Sequence, residues 1–178
     1  MKLIRHLFPY ALAVLLFGLT QCDKISQVEH NVTSKAITFD LPAHDAGDYE
    51  LTQIVNMNFD SLVSQYDLGL VSLTSVRPES ATLSIIDTDA TPVTFDILDL
   101  VEMDLATASM ASRKIAWKDP VPHTGLTSIA FDVAGSSELL DFASANAVIV
   151  TLKARLNTAL THPIKMKLEV RYHIIAHL

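Results

Sequence analysis

Cys22 is the only cysteine of the 178-residue chain, and it stands where an apolar amino-terminal run gives way to polar sequence. In an exported protein a lone cysteine has no internal disulfide partner, so its thiol is free for covalent modification. At the end of a leader it reads as a lipid attachment site. One acyl chain binds a membrane only marginally, at ~0.8 kcal/mol per buried CH₂, whereas two or three chains hold a protein durably.

The remaining candidates for chemistry are weaker. His173 and His177 are four apart, a spacing that would pair two zinc ligands on a helix, but on a strand it separates them by about 13 Å. Two solvated strand-end residues are therefore expected. Asp87-Thr88-Asp89, with Asp96 and Asp99 farther on, is the best cation candidate, since Ca²⁺ favours several carboxylate oxygens on a turn. The glycine and closing glutamate of a calcium loop are missing, so an ordinary acidic hairpin turn is expected. His44-Asp45 and His123 fall in loops. Trp117, near Pro120, Pro122 and His123, would suit a binding aromatic on a rigid loop, although tryptophans are mostly buried and a core position is expected. No G-x-S-x-G, P-loop, Rossmann glycine fingerprint or H-E-x-x-H occurs. A non-enzymatic protein without a cofactor is the expectation.

The leader has the parts of a secretory signal: Lys2 and Arg5, an apolar run from Leu7 to Leu19, then Cys22. The run is shorter than the ~20 apolar residues that a spanning helix needs. No A-x-A cleavage pattern lies between Gly18 and Lys24, and Leu19-Thr20-Gln21-Cys22 resembles a bacterial lipobox. That resemblance implies diacylglyceryl transfer to the Cys22 thiol, cleavage before it and acylation of the freed amine, with palmitate among the added chains. Gln21 departs from the Gly, Ala or Ser usual before the cysteine. Asp23 retains some lipoproteins at the inner membrane but not in every lineage. The expected location is the cell envelope, at the outer membrane.

Acidic residues outnumber basic ones, 20 against 13, for a net charge of −7. Phosphate neutralisation needs clustered Lys and Arg, so nucleic-acid binding is excluded as a function class. The charge is uneven. From Ala147 onward Lys153, Arg155, Lys165, Lys167 and Arg171 face only Glu169, while Arg77 to Arg113 encloses a run of acids with no base. The basic face of the closing segment would either dock on an acidic partner or anionic lipid headgroups, or keep an outward or edge face from strand-to-strand aggregation, and the second is favoured.

Alternation dominates the elements that must position these groups. Ile164, Met166, Leu168, Val170, Tyr172 and Ile174 keep an unbroken period of two, and Val148 to Leu156 does the same. With Asn157 to Pro163 as a turn, the two read as a long hairpin. Further strands are expected at 37–41, 49–58, 70–76, 83–85, 93–105, 114–117 and 129–133, with a turn at Arg77-Pro78. Phe95 to Met110 could also be helical, and strand is favoured. Short helices are expected around Phe59 to Tyr66 and around Leu139 to Ala143, the latter behind a Ser136 cap.

From about Ser61 the order of pieces is similar to small β-sandwich lipoproteins of Gram-negative envelopes: Phe59-Asp60-Ser61-Leu62-Val63, Ile97 to Glu102, Lys114 to Trp117, Leu139-Leu140-Asp141-Phe142 and the closing strands. That family mostly lacks a known activity, so the likeness implies fold and location only. The expected plan is a signal peptide at 1–21, a tether at 22–34 and an all-β antiparallel sandwich of about eight or nine strands at 35–178. Its expected function is a lipid-anchored binding or structural module, with the membrane and an envelope protein as partners. A hydrolase built from loop histidines and acids, and an adhesin or fibre subunit, are the alternatives.

Overall fold

The computed structural model describes residues 27–56, 72–86, 93–145 and 147–177. Cys22, the acidic turn at Asp87 and Asp89, and the helix expected at Phe59 to Tyr66 lie outside these residues. Ten strands are described: β1 Gln27–Thr33, β2 Ile37–Leu41, β3 Gly47–Val55, β4 Ser72–Ile85, β5 Leu98–Ala106, β6 Arg113–Lys118, β7 Ser128–Ala130, β8 Asp132–Val133, β9 Val148–Leu156 and β10 Ile164–His177. A 3₁₀ turn, Phe95–Ile97, precedes β5, and one helical turn, α1 Leu140–Ala143, precedes β9. No described helix is long and apolar enough to cross a membrane.

The strands form two antiparallel five-stranded sheets. Sheet I runs β1-β10-β4-β7, with β2 pairing β10 beyond β1, and sheet II runs β3-β9-β5-β6-β8. Alternation places Phe39, Leu83, Leu168 and Ile174 of sheet I, and Met103, Leu105, Val150 and Leu152 of sheet II, in one apolar core. Phe95, Phe131 and Phe142 fill it from the connections.

The hairpin expectation is overturned. β9 pairs with β3 and β5, whereas β10 pairs with β1, β2 and β4, so residues 157–163 cross from one sheet to the other. Stacked sheets lie ~10 Å apart, a gap this link bridges. Buried Leu160 fixes the crossing by a two-way backbone bridge to His44, at 3.0 and 2.8 Å. An edge-guarding role for the basic residues falls with the hairpin, because both strands are interior. Their charges are met instead by acids from elsewhere: Lys153 by Asp104, Arg155 by Asp48, Lys165 by Asp40 and Arg171 by Glu79, with Lys167 on Glu169.

Arg77-Pro78 is likewise no turn. β4 continues through it, and the register against β10 passes from Arg171–Ser80 to Tyr172–Pro78, leaving Glu79 as the extra residue of a bulge. A proline lacks the ladder N–H, and a bulge is where a strand tolerates that loss. Ile129, Phe131 and Val133 keep the period of two while the chain changes sheets, since β7 pairs with β4 and β8 with β6.

Ser136 does not cap α1. The Glu138 carboxylate does so, accepting from Leu139 N and Leu140 N at 3.1 Å each, from Val76 N at 2.7 Å and from the Ser75 hydroxyl at 2.6 Å. Partial burial disfavours its charge, yet these hydrogen bonds outweigh burial and hold its pKa below the usual 4.5. A carboxylate depressed in the folded state stabilises above its unfolded pKa, and that contribution is lost as pH falls through the folded one. Glu138→Gln is expected to cost about 1 kcal/mol at neutral pH, the scale of a helix cap, and to flatten the stability profile below pH 4.5. Urea titrations across pH 2–7 check this; an unchanged acid limb would contradict the clamp.

Candidate functional site

The outer face of sheet II carries a cluster of charged side chains. Register aligns three strands of very different sequence position: Asp48, Arg155 and Leu100 form one row, and Glu50, Lys153, Glu102 and Trp117 the next. Thr52, Thr151, Asp104 and Lys114 follow, then Ile54, Ile149 and Ala106. Cross-strand partners point to one side of a sheet, so these rows share the outer face.

An open groove of about 360 Å³ lies over the first two rows, lined by Asp48, Glu50, Leu100, Glu102, Lys153 and Arg155 among others. Its charges are set by pairing across strands. Arg155 Nε donates to Asp48 Oδ1 at 2.7 Å, Lys153 Nζ to Asp104 Oδ2 at 2.6 Å, and Lys114 Nζ to Glu102 Oε1 at 2.7 Å. The hydrogen bond from Lys153 to Asp104 raises the lysine's pKa above its usual value, and the neighbouring Glu50 and Glu102 add to the effect. Lys153 is therefore cationic at neutral pH. Asp104 is the buried member of this network, with Ser112 Oγ donating to the same Oδ2 at 3.2 Å; its Oδ1 is buried without a hydrogen-bond partner. Such a surface can hydrogen-bond and charge-match a polar ligand or segment.

Trp117 lies in β6, where the strand at 114–117 was expected, and it is half-buried rather than in the core. It faces Glu102 across the strand pair and Asp132 on the other side, which sets an aromatic surface at the end of the Glu50–Lys153–Glu102 row.

His123 lies apart from it, exposed in the connection after β6. Its Nε2 is 3.0 Å from Leu98 O, 3.3 Å from Asn157 Nδ2 and 3.7 Å from Asp99 Oδ1. Asn157 Nδ2 already donates to Asp96 O and Asp99 Oδ1, both at 3.0 Å. A ring N–H given to Leu98 O thus leaves the Asn157 contact as one between donors, and the corner serves to dock the loop on β5. His44 is occupied by the Asp45 carbonyl at 2.9 Å and packs edge-on to Tyr49 at 4.7 Å. His173 and His177 are on a strand, as expected, and meet Asn31 at 3.0 Å and Gln27 at 3.2 Å respectively. Among the described residues no three His, Cys, Asp or Glu side chains are grouped to hold a metal ion.

The structure brings Trp117 to the charged face and leaves His123 at a separate corner. Lys153 was noted only within the basic closing segment and Glu102 and Asp104 only within an acidic run, and Asp48 and Glu50 were not singled out by sequence. Their alternation with apolar residues marks each as outward-facing, but only register shows that they adjoin.

No family model matches the chain, and no curated protein does. A solved chain from Desmodium yellow mottle tymovirus superposes over 85% of this chain and 90% of its own, at 10% identity and a TM-score of 0.28. A likeness that distant carries no argument about fold or function.

Proposed function

We propose that this chain is a lipid-anchored, non-enzymatic binding module of the cell envelope, tethered through Cys22 and presenting the outer face of sheet II to its ligand. The groove carries this reading: its acids and bases stand on adjacent strands, Arg155 paired with Asp48, Lys153 with Asp104 and Lys114 with Glu102, and Trp117 adds an aromatic surface beside them. Such a surface is suited to recognising a polar or charged partner by complementarity. The anchor rests on the leader and the Leu19-Thr20-Gln21-Cys22 sequence.

A hydrolase requires a histidine hydrogen-bonded to a carboxylate inside a pocket. His123 and Asp99 stand 3.7 Å apart at an exposed corner, which does not favour it. A fibre subunit requires an exchangeable edge strand. β1 is at an edge, but it is held through all seven residues of its register against β10.

Two measurements test the proposal. Mass spectrometry of the mature protein should find an amino terminus at Cys22 bearing diacylglyceryl and acyl mass, and Cys22→Ala should accumulate as an uncleaved precursor without lipid mass. A mature terminus without lipid mass would end the anchoring reading. Pull-down from detergent-solubilised envelopes should then recover a partner that is lost with Glu102→Lys. Capture unaffected by that charge reversal would remove the groove from the function.

A further inference from the structure

We infer that the groove on sheet II takes an extended protein segment bearing two basic side chains four residues apart, one meeting Glu50 and the other the face of Trp117. This rests on the outer face of sheet II being the binding surface, as proposed above, and names the chemistry of its partner. Pairing sets the sign of that partner. On and beside this face Arg155 is matched by Asp48, Lys153 by Asp104, Lys114 by Glu102 and Lys118 by Asp132, at 2.7, 2.6, 2.7 and 3.5 Å. Arg113, the other base on the strands of sheet II, turns instead to Glu138 O at 2.7 Å and to the Phe142 ring. Each base thus has a partner of its own.

Glu50 has none. It stands opposite Lys153 in register, but Lys153 Nζ is turned to Asp104, and the exposed Glu50 carboxylate makes no ion pair or hydrogen bond among the described residues. Asp99 and Asp119 add their charge beside Arg155, which Asp48 already holds. An anion would have to draw a base away from its carboxylate, whereas a cation finds Glu50 unclaimed.

Trp117 supplies the second contact. It is half-buried, which leaves part of its surface to solvent, and in register it stands between Glu102 of β5 and Asp132 of β8. The ring quadrupole attracts a lysine or arginine head placed over the indole face, and a carboxylate on either side adds to that attraction. Glu50 and Trp117 share one row, three strands apart, which is about 14 Å at ~4.8 Å per strand. Residues four apart on one side of an extended chain are about 13 Å apart. A segment crossing the strands therefore reaches both positions at once. Lys153 lies between them and repels a base placed midway, so two spaced bases fit better than an unbroken basic run.

Trp117 is the only tryptophan of the chain, so its fluorescence reports directly on the site. The full-length protein, purified in neutral detergent, is titrated with the acetylated and amidated peptide Gly-Lys-Ser-Thr-Ser-Lys-Gly, with the same peptide carrying glutamate for both lysines, and with one carrying its lysines side by side. The spaced-lysine peptide should give a saturable change, the glutamate peptide none, and the adjacent-lysine peptide at least threefold weaker binding. Glu50→Gln should weaken the spaced-lysine peptide at least threefold while leaving the urea midpoint in place. No saturable change with the spaced-lysine peptide, or equal binding of the glutamate peptide, would overturn the basic partner. Equal binding of the adjacent-lysine peptide, or by Glu50→Gln, would overturn Glu50 and Trp117 as its two contacts. Either result leaves the groove standing as long as Glu102→Lys abolishes capture from the envelope; capture that survives Glu102→Lys removes the groove and this inference together.

Discussion

Phe95→Ala is expected to remove about 3–5 kcal/mol of stability, the cost of truncating a fully buried aromatic side chain. Domains of this kind hold about 5–15 kcal/mol in all, so much of the margin would go. The position matters beyond its own volume. Phe95 N donates to Leu126 O at 2.8 Å, the neighbouring Asp96 carboxylate accepts from Gly125 N at 2.9 Å, and Asn157 N donates to Ile97 O at 2.9 Å. One side chain thus sits beneath the point where the connection after β6 and the link from β9 to β10 meet the start of β5. Gly125 has φ +73°, so the turn facing Asp96 also depends on a residue free of a Cβ. Urea unfolding measures the loss, and limited proteolysis should show new cleavage between Asp119 and Thr127. Phe95→Leu should recover most of the stability. A loss below about 1 kcal/mol in Phe95→Ala would place the ring outside the core.

The same region shows where sequence reading stops. Alternation in Val148 to Leu156 and in Ile164 to Tyr172 correctly marks two half-buried strands, because burial of one face is a local property of period two. It carries no information about neighbours, and a short polar link suggests a hairpin whether the chain turns back or crosses to the other sheet. Ile129, Phe131 and Val133 illustrate the point again, since each side chain stays inward while the backbone hydrogen bonds pass from β4 to β6. Proline at position 78 reads as a turn by its missing donor, yet a bulge at Glu79 keeps β4 continuous. The all-β class and much of the core were therefore legible, and the topology was not. The groove was hidden for the same reason. Asp48, Glu102 and Lys153 occupy unexceptional outward positions on separate strands, and only pairing across about 50 to 100 residues of sequence makes them adjacent.

Lys153→Met tests that adjacency directly and is expected to cost about 2–3 kcal/mol. The Asp104 side chain is 9% exposed and holds Lys153 Nζ at 2.6 Å, while the lysine itself is 42% exposed. Removing the lysine leaves a buried carboxylate with the Ser112 hydroxyl on Oδ2 and nothing on Oδ1, and a buried charge stripped of its partner is far costlier than an exposed pair. The estimate lies below the full buried-pair value because water reaches the lysine and can follow it into the gap. Asp104→Leu combined with Lys153→Met should restore most of the loss, since the desolvated charge disappears along with its counterion. A double-mutant cycle completed by Asp104→Leu alone measures the coupling, with unfolding midpoints read in urea. Strong coupling would show that the cation holds β9 against β5 and so fixes the spacing of Glu50, Lys153 and Glu102 across the groove. Additive effects would mean that Asp104 is satisfied without Lys153, and the charged rows would then be set by the backbone ladder alone.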